Sequence, residues 1–355
     1  MSSKILFIVP YPHDTAPSQR LKFEQYYTGL EKAGYEITLA PFIGKGFWKI
    51  IYKKGFYLQK VLYTLLYYLK RIILLTKVGR YDVVYIHLWA TPFGLPLYEW
   101  ALWKLSKRII YDIDDLIYKG GASPNNKSIK FLKTSSKVDF LMKHADHVLV
   151  STEKLMDYTK NFSSKVSLIP ATIDVNKYAV DQDERSDTVV IGWSGSHTTS
   201  KYLHLLDNVL KAVAEKHKVR IMVMGDPDFV IEGLVVELLA WTTEMEVENL
   251  LQFDIGLHPV PDEEWVYGKS GGKLVQYLAA GIPIVASAIG PNFKVIEDGY
   301  NGFLVTTEEE WISRLETLII DGKLRKQMGK NSRDCAVKIY SVDANIDQYL
   351  RIFNH

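Results

Sequence analysis

Cysteine is nearly missing from this chain of 355 residues, which contains only Cys335. One cysteine excludes an internal disulfide framework and is typical of a protein kept in a reducing compartment. The sequence also lacks an unbroken apolar run, because the uncharged stretch 274–293 contains two glycines and two prolines. These residues would break a membrane-spanning helix. We therefore expect a cytoplasmic protein, either soluble or peripheral at the inner face of the membrane.

Neither sign of charge dominates, since the formal net charge is +2. This balance gives no general case for nucleic-acid binding. Acidic residues are nevertheless missing between Glu36 and Asp82, and residues 45–80 carry nine lysines and arginines interleaved with eight aromatic residues. Such a segment suits an anionic membrane surface. The alternative is a helix that packs its aromatic side chains into the core and turns its lysines to water.

Two nucleotide-binding motifs are missing as well. No Walker loop of the form G-x-x-x-x-G-K-[ST] occurs, and the first apolar run, residues 5–9, is followed by "PYPHDTAPS" instead of G-x-G-x-x-G. ATPase and dehydrogenase functions therefore lose their best support.

The chain instead alternates short apolar runs with helical patterns. The runs "ILFIV", "YDVVYIH", "RIIYDID" and "DHVLVST" predict buried strands, and the pattern restarts at "TVVIGWSG" after a polar stretch. This alternation predicts right-handed βαβ units and parallel sheets. We predict an α/β protein with Rossmann-like domains at 1–174 and 189–335, joined by a linker at 175–188. A C-terminal helix at 336–355 is expected to pack back on the first domain.

The stretch "GKSGGKLVQYLAAGIPIVAS", residues 268–287, combines a glycine-rich loop, a short helix and a strand. Gly271 and Gly272 permit a ligand to approach the backbone closely. The helix start offers N–H groups and the positive end of the helix dipole, and Lys269 and Lys273 add full charges. These features predict an anion site for phosphate. The alternative is a connecting loop whose lysines face solvent.

The segment "GGKLVQYLAAGIPIVASAIGPNFKVIEDGYNGFLV" resembles the nucleotide-sugar half of family-four glycosyltransferases, and the likeness covers nearly the whole chain. The resemblance implies the GT-B architecture, in which two Rossmann-like domains face each other across a cleft. It also implies a nucleotide-diphosphate sugar as donor and retention at the anomeric carbon. Neither a bound metal nor a further cofactor is expected.

The chain departs from the family pattern in its donor loop. Many relatives carry two glutamates where Gly268 and Gln276 stand here; the first usually contacts the donor sugar and the second the ribose. Gln276 is still able to hydrogen-bond ribose hydroxyls. The pattern "PDEEW" makes Asp262 our first choice for the sugar contact. The turn that contains Asn292 faces the same cleft in relatives.

The loop "GWSGSHTTSKY" follows the first strand of the second domain. Relatives place an arginine and a lysine here on the diphosphate, and the arginine is missing. Gly195 and Ser196 offer backbone N–H groups to a phosphate. Lys201 is either a phosphate ligand or a plain surface lysine.

In the first domain, "YDIDD" ends a predicted strand with three acids. Asp112 and Asp114 are two residues apart and therefore point the same way. Relatives place a histidine near this point on the sugar, so the resemblance shifts that catalytic duty to an aspartate or to His87. The alternative for His87 is a strand-end histidine that packs below the site. Arg20 is expected to contact the phosphate of a lipid-linked acceptor or of the donor, and the alternative is a salt bridge to Glu24.

The favoured function is transfer of a sugar from a nucleotide-diphosphate sugar to a glycan or a lipid-linked acceptor. We place it in the synthesis of cell-surface polysaccharide or glycoconjugate. One alternative is a nucleotide-sugar epimerase, which shares the two-domain architecture. The other is a non-catalytic nucleotide-sugar-binding protein, because the usual glutamates are missing.

Overall fold

The computed structural model describes residues 2–117, 135–178 and 188–354 of the chain. The chain divides into two compact units. The first consists of Met1–Pro170, Gly268–Ser270 and Ile346–His355, and the second consists of Ala171–Tyr267 and Gly271–Asn345. Each unit holds one six-stranded parallel sheet with helices. The predicted α/β fold with two Rossmann-like domains is therefore confirmed.

The sheet of the first unit has the strand order β2-β1-β3-β4-β5-β6. Its strands are β1 (Ser3–Val9), β2 (Tyr35–Pro41), β3 (Val83–His87), β4 (Ile109–Ile113), β5 (His147–Val150) and β6 (Val166–Leu168). Its helices are α1 (Pro17–Arg20), α2 (Tyr27–Lys32), α3 (Lys45–Ile51), α4 (Tyr57–Leu75), α5 (Leu97–Leu105), α6 (Ser136–His144) and α7 (Glu153–Thr159). Strands β3 and β4 are buried along their whole length. Continuous apolar runs of this kind are expected where helices cover both faces of a parallel sheet.

The second sheet has the order β12-β11-β10-β7-β8-β9. Its strands are β7 (Val189–Ser194), β8 (Val219–Met224), β9 (Glu237–Leu239), β10 (Ile255–His258), β11 (Ile284–Ser287) and β12 (Gly302–Val305). Its helices are α8 (Asp207–Lys216), α9 (Glu246–Leu251), α10 (Gly272–Ala279), α11 (Asn292–Val295), α12 (Glu308–Ile320) and α13 (Gly322–Cys335). The predicted linker, 175–188, lies mostly outside the described residues, and its described start, 175–178, belongs to the second unit.

The last helix, α14 (Val342–Asn354), contributes its residues from Ile346 onward to the first unit. The ring of Tyr349 stacks on Tyr26 with centroids 4.3 Å apart. Its hydroxyl lies 2.7 Å from the hydroxyl of Tyr85 in β3. Arg108 donates a hydrogen bond of 2.8 Å to the carbonyl oxygen of Phe353. Aromatic packing and a cationic partner for the helix's last carbonyls hold this segment in place.

Helix α4 has two apolar faces, and the structure shows which one packs inward. Tyr63, Tyr67 and Tyr68 pack against the buried pair Phe42 and Phe47. The opposite face is a stripe of exposed aliphatic side chains: Leu58, Val61, Leu62, Leu65, Leu66, Leu69, Ile72 and Ile73, each between 44% and 74% exposed. The expectation that the outward face carries lysines is therefore wrong for most of its area. We call these eight residues the aliphatic stripe.

Arg71 fastens α4 to the carboxyl edge of the first sheet. Its guanidinium is buried and donates to the carbonyl oxygens of Val9, Ala40 and Ala90, at 3.1, 2.8 and 3.0 Å. Val9 and Ala40 lie at the carboxyl ends of β1 and β2. The aliphatic stripe is thus carried by a helix that is fixed beside the strand ends. Among the residues that the structure describes, no helix is long and apolar enough to cross a bilayer.

Candidate active site

Lys273 lies at the carboxyl edge of the second sheet, in the first turn of α10. Its Nζ atom lies 4.6 Å from the ring centroid of Trp193 in β7. The same atom donates a hydrogen bond of 3.2 Å to Oγ1 of Thr199. A Cβ atom on Gly195 would lie 2.6 Å from this nitrogen, so glycine keeps the backbone of the loop after β7 open beside the charge. The structure thus brings the predicted residues Gly195 and Lys273 together.

The start of α10 adds backbone dipoles to this charge. Gly271 is the N-cap and has a φ of 72°, in the left-handed region that favours glycine. Because glycine has no side chain, the N-cap residue makes no side-chain hydrogen bond to the first-turn N–H groups, where the positive end of the helix dipole lies. Gln276 follows Lys273 by about one turn and is buried except for 6% of its surface. This arrangement suits a phosphate group.

Tyr277 fixes α10 on the sheet. Its hydroxyl accepts a hydrogen bond of 2.8 Å from the backbone N–H of Ser194 in β7. It also donates one of 3.3 Å to the carbonyl oxygen of Leu257 in β10. The tyrosine ring lies against Gly256, where a Cβ atom would come within 2.9 Å of it. These contacts hold Lys273, one turn earlier, at the strand ends.

A buried charged cluster lies at the carboxyl edge of the first sheet. His87 at the end of β3 is paired in register with Asp112 in β4, and its Nδ1 atom lies 2.7 Å from Oδ2 of Asp112. The Nζ atom of Lys22 lies 3.3 Å from the other oxygen, Oδ1. On the far side of the imidazole, Nε2 lies 3.9 Å from Oδ1 of Asp114. The three predicted residues are therefore neighbours, and Lys22 joins them.

The two aspartates have opposite pKa shifts. Burial raises the pKa of Asp112, but the charge of Lys22 and the hydrogen bond with His87 outweigh it and hold that pKa below its ordinary value. Burial also raises the pKa of Asp114, and the nearby His87 offsets this only in part. Asp112 therefore stays ionised and orients the imidazole, whereas Asp114 keeps its proton to a higher pH. Carboxyl groups with separated pKa values are characteristic of acid–base sites.

Arg20 forms an ion pair with Asp14. Its Nε atom lies 3.0 Å from Oδ1 of Asp14. Glu24 accepts hydrogen bonds from the side chain of Gln19 and from the backbone N–H of Asp14. A structural salt bridge, the predicted alternative for Arg20, is thus present with Asp14 as a partner. Within residues 2–117, 135–178 and 188–354, no group of three or more histidine, cysteine or acidic side chains is arranged to hold a metal ion.

The second unit also matches a known family. Residues 188–321 match the family described as "Glycosyl transferases group 1". This segment is similar to group 1 glycosyltransferases. The match confirms the predicted resemblance to family-four glycosyltransferases over this segment. A curated relative, D-inositol 3-phosphate glycosyltransferase from Mycobacterium sp. (strain JLS), is 23% identical over 275 residues, which are 69% of this chain and 60% of that protein. The chain thus matches about three-fifths of this relative's length.

Solved structures share the fold over nearly the full chain. Sucrose-phosphate synthase from Thermosynechococcus elongatus has a TM-score of 0.71 at 15% identity, covering 100% of this chain and 98% of its own. HepE from Anabaena, solved with UDP, has a TM-score of 0.71 at 17% identity, covering 99% and 100%. WaaG, a glycosyltransferase involved in lipopolysaccharide biosynthesis, has a TM-score of 0.65 at 14% identity, covering 98% of each chain. These similarities confirm the GT-B fold.

Within the glycosyltransferase domain, other predicted donor residues are already engaged. Asp262 accepts a hydrogen bond of 2.8 Å from the hydroxyl of Tyr267. The backbone N–H of Ser196 donates to Oγ1 of Thr199 at 3.1 Å. The Nζ atom of Lys201 lies 4.8 Å above the ring of Tyr202.

Asn292 is completely buried and donates a hydrogen bond of 2.8 Å to the carbonyl oxygen of Ser287. Its side chain therefore shapes the turn after β11 from within the unit.

The donor loop includes three residues, Gly268–Ser270, that belong to the first unit. A Cβ atom on Gly268 would lie 2.3 Å from Cγ of Leu116. A larger side chain at position 268 would therefore require Leu116 to move. Lys269 forms an ion pair of 2.6 Å with Asp115. Of the two predicted lysines, Lys273 is therefore the better placed for a phosphate at α10.

Two further side chains lie at these strand ends, and no sequence motif predicted them. Lys22 is separated from Asp112 by ninety positions along the chain, so no local pattern links them. His258 is the last residue of β10, and it follows the predicted strand in "FDIGLHPV". His87 and His258 each end an apolar strand, so the sequence feature that points to His87 also points to His258.

Proposed function

We propose that this protein transfers a sugar from a nucleotide-diphosphate sugar and binds the donor's diphosphate at the start of α10. The observation that carries the proposal is the position of Lys273 beside Gly195, within the domain that matches the family. A full positive charge and a helix dipole there would stabilise the negative charge that develops on a departing diphosphate. HepE was solved with UDP and with UDP-glucose, which supports a uridine nucleotide as the first donor to test.

The reaction we propose retains the configuration at the anomeric carbon. The acceptor oxygen forms its bond to that carbon on the face from which the bond to the diphosphate oxygen breaks. The acceptor's proton passes to the departing diphosphate. This path requires no glutamate nucleophile, in keeping with Gly268 at the usual glutamate position. It also requires no metal or further cofactor, because Lys273 and the helix end supply the positive potential.

The first unit is proposed to act on the acceptor. Asp112 is fully buried and acts through His87, which it orients. Asp114 is the more accessible carboxyl group, with 11% of its side chain exposed. We assign substrate contact to Asp114, with the buried His87 positioning it from behind, and a phosphate contact to Arg20 in the same unit.

The acceptor is proposed to be a glycan or a lipid-linked precursor in cell-surface polysaccharide or glycoconjugate synthesis. Support comes from the aliphatic stripe of α4, which exposes leucine and isoleucine side chains without an intervening charge. Residues 45–80, which include α4, carry nine lysines and arginines and no acidic residue. An apolar face flanked by cations suits a helix lying in the interface of an anionic membrane. The protein would then be peripheral at the inner, cytoplasmic face.

A nucleotide panel followed by a transfer assay tests the proposal. UDP, GDP and ADP, each with its nucleoside, are screened by thermal shift. A ligand at about 100 times its dissociation constant stabilises the folded state by about 2.7 kcal/mol. The matching nucleotide sugar is then incubated with membrane lipid extract, with and without a chelator. We expect transfer in both samples. Conversion of the donor without any acceptor would indicate an epimerase, and binding without transfer or hydrolysis would indicate a non-catalytic protein.

A further inference from the structure

His258 lies on the face of the second sheet that α10 covers. Ile255 and Leu257 of β10 belong to the apolar core on the opposite face. Because side chains alternate along a strand, Gly256 and His258 point toward α10. The ring of Tyr277 confirms this for Gly256, where a Cβ atom would lie within 2.9 Å of the ring. His258, two residues farther along β10, therefore lies toward the carboxyl end of the strand on the same face.

Lys273 occupies the corresponding level of α10. A helix that connects parallel strands runs antiparallel to them, so α10 begins at the carboxyl edge. Lys273 precedes Tyr277 by four residues and shares its face of the helix. Tyr277 packs on Gly256. Lys273 lies nearer the carboxyl edge than Tyr277, and His258 lies nearer that edge than Gly256. The charge of Lys273 is close enough to act on the imidazole.

One ring nitrogen of His258 has no partner inside the unit. Its Nδ1 atom is enclosed and makes no hydrogen bond among the described residues. Burial, followed by the charge of Lys273, lowers the pKa of His258 to about 3. The imidazole is therefore neutral and carries one N–H group and one lone pair. An enclosed lone pair is tolerated better than an enclosed N–H group, which places the proton on Nε2.

We propose that His258 is a further donor-binding residue, whose Nε2–H group donates a hydrogen bond to the diphosphate held by Lys273. The inference rests on the proposed function and adds a neutral donor to its cationic site. A neutral imidazole donates a directional hydrogen bond without adding a second positive charge beside Lys273. Donation from N–H to a charged phosphate oxygen is stronger than a neutral hydrogen bond. His258 would thus distinguish a nucleoside diphosphate from its nucleoside.

The test compares three substitutions of His258 by calorimetric titration with UDP and with uridine. If GDP or ADP binds better in the panel, that nucleotide and its nucleoside replace them. His258→Phe keeps the ring volume and removes both nitrogens. His258→Gln places an amide N–H near the position of Nε2, and His258→Asn places one near Nδ1. The control is His217→Gln, because His217 precedes β8 and so lies at the opposite edge of the sheet, paired with Glu316.

We expect His258→Phe to weaken the affinity for UDP about 10-fold or more, because a hydrogen bond to a charged group contributes this much. The affinity for uridine should stay unchanged. His258→Gln should restore most of the affinity, and His258→Asn should restore less. Should His258→Phe fail to fold, the contrast between glutamine and asparagine still decides. Wild-type affinity for UDP in a folded His258→Phe protein, equal losses for UDP and uridine, or equal affinities of the glutamine and asparagine variants would overturn the assignment. If Lys273→Ala loses UDP binding and the His258 variants do not, the proposed function stands and only the role of His258 is rejected.

Discussion

The Nδ1 atom of His87 lies 2.7 Å from Oδ2 of Asp112, and both side chains are fully buried. Lys22 shares the same carboxylate. Asp112→Asn leaves the charge of Lys22 buried without its counterion, so we expect a loss of about 3–5 kcal/mol in the free energy of unfolding. Urea unfolding followed by tryptophan fluorescence measures it. Asp114→Asn serves as the control and should lose much less. Similar stabilities for the two variants would show that the ion pair with Lys22 is not what holds this cluster.

Asp114→Asn is expected to act on turnover instead. The first unit is assigned to the acceptor, so loss of the Asp114 contact that positions the acceptor should lower kcat by about 10²-fold, while nucleotide affinity stays nearly unchanged. Transfer rates and calorimetric titration with UDP separate the two quantities. A large loss of nucleotide binding in a folded Asp114→Asn protein would mean that β4 has been assigned to the wrong substrate.

Much of the fold was predictable because buried parallel strands are short apolar runs. The runs "VVYIH" and "IIYDI" are continuous in sequence and are buried along their whole length. The face that α4 turns inward was not predictable, because its aromatic and aliphatic faces both repeat with helical spacing. Only the packing of Tyr63 and Tyr67 on Phe47 decides it.

The site was predictable to the extent that it depends on local sequence. The glycines and the lysine at the start of α10 predict an anion site from the local sequence alone. The ion pair of Lys22 with Asp112 depends instead on how α1 and its following segment pack on β4. The clash that keeps Gly268 small likewise involves Leu116, a residue far away in sequence. Contacts of this kind follow from the fold and leave no local pattern.

The aliphatic stripe predicts how the protein meets a membrane. Replacing Leu62, Leu65 and Leu69 together by serine should weaken binding to anionic vesicles at least about 100-fold, since each buried leucine contributes about 1.5–3 kcal/mol. Cosedimentation with anionic and with neutral vesicles, at low and high salt, measures it. The matched control replaces the exposed Val230 and Val235 of the second unit by serine. We expect wild type to prefer anionic vesicles and to be released by salt. Equal binding to neutral vesicles, or binding to neither, would rule out the membrane role.

The pKa of His258 gives a prediction for pH. Its folded value of about 3 lies below the ordinary value of about 6.5, so unfolding takes up a proton at intermediate pH. The stability due to the neutral imidazole is complete above about pH 6.5 and is lost as the pH falls toward the folded value. Between about pH 7 and about pH 5, wild type should therefore lose up to about 2 kcal/mol more than His258→Gln. Urea unfolding at both pH values checks this, and parallel losses would mean that His258 is not held neutral.

Calorimetric titration of Lys273→Ala and Gln276→Ala with UDP and uridine tests the donor site most directly. If α10 holds the diphosphate at Lys273 and the ribose at Gln276, Lys273→Ala should weaken UDP about 10- to 150-fold, the range for a charge-assisted contact. It should leave uridine nearly unchanged, whereas Gln276→Ala should weaken both ligands by a similar, smaller factor. A folded Lys273→Ala protein that binds UDP as wild type does would contradict the diphosphate assignment and reduce the glycine-rich loop to a connection.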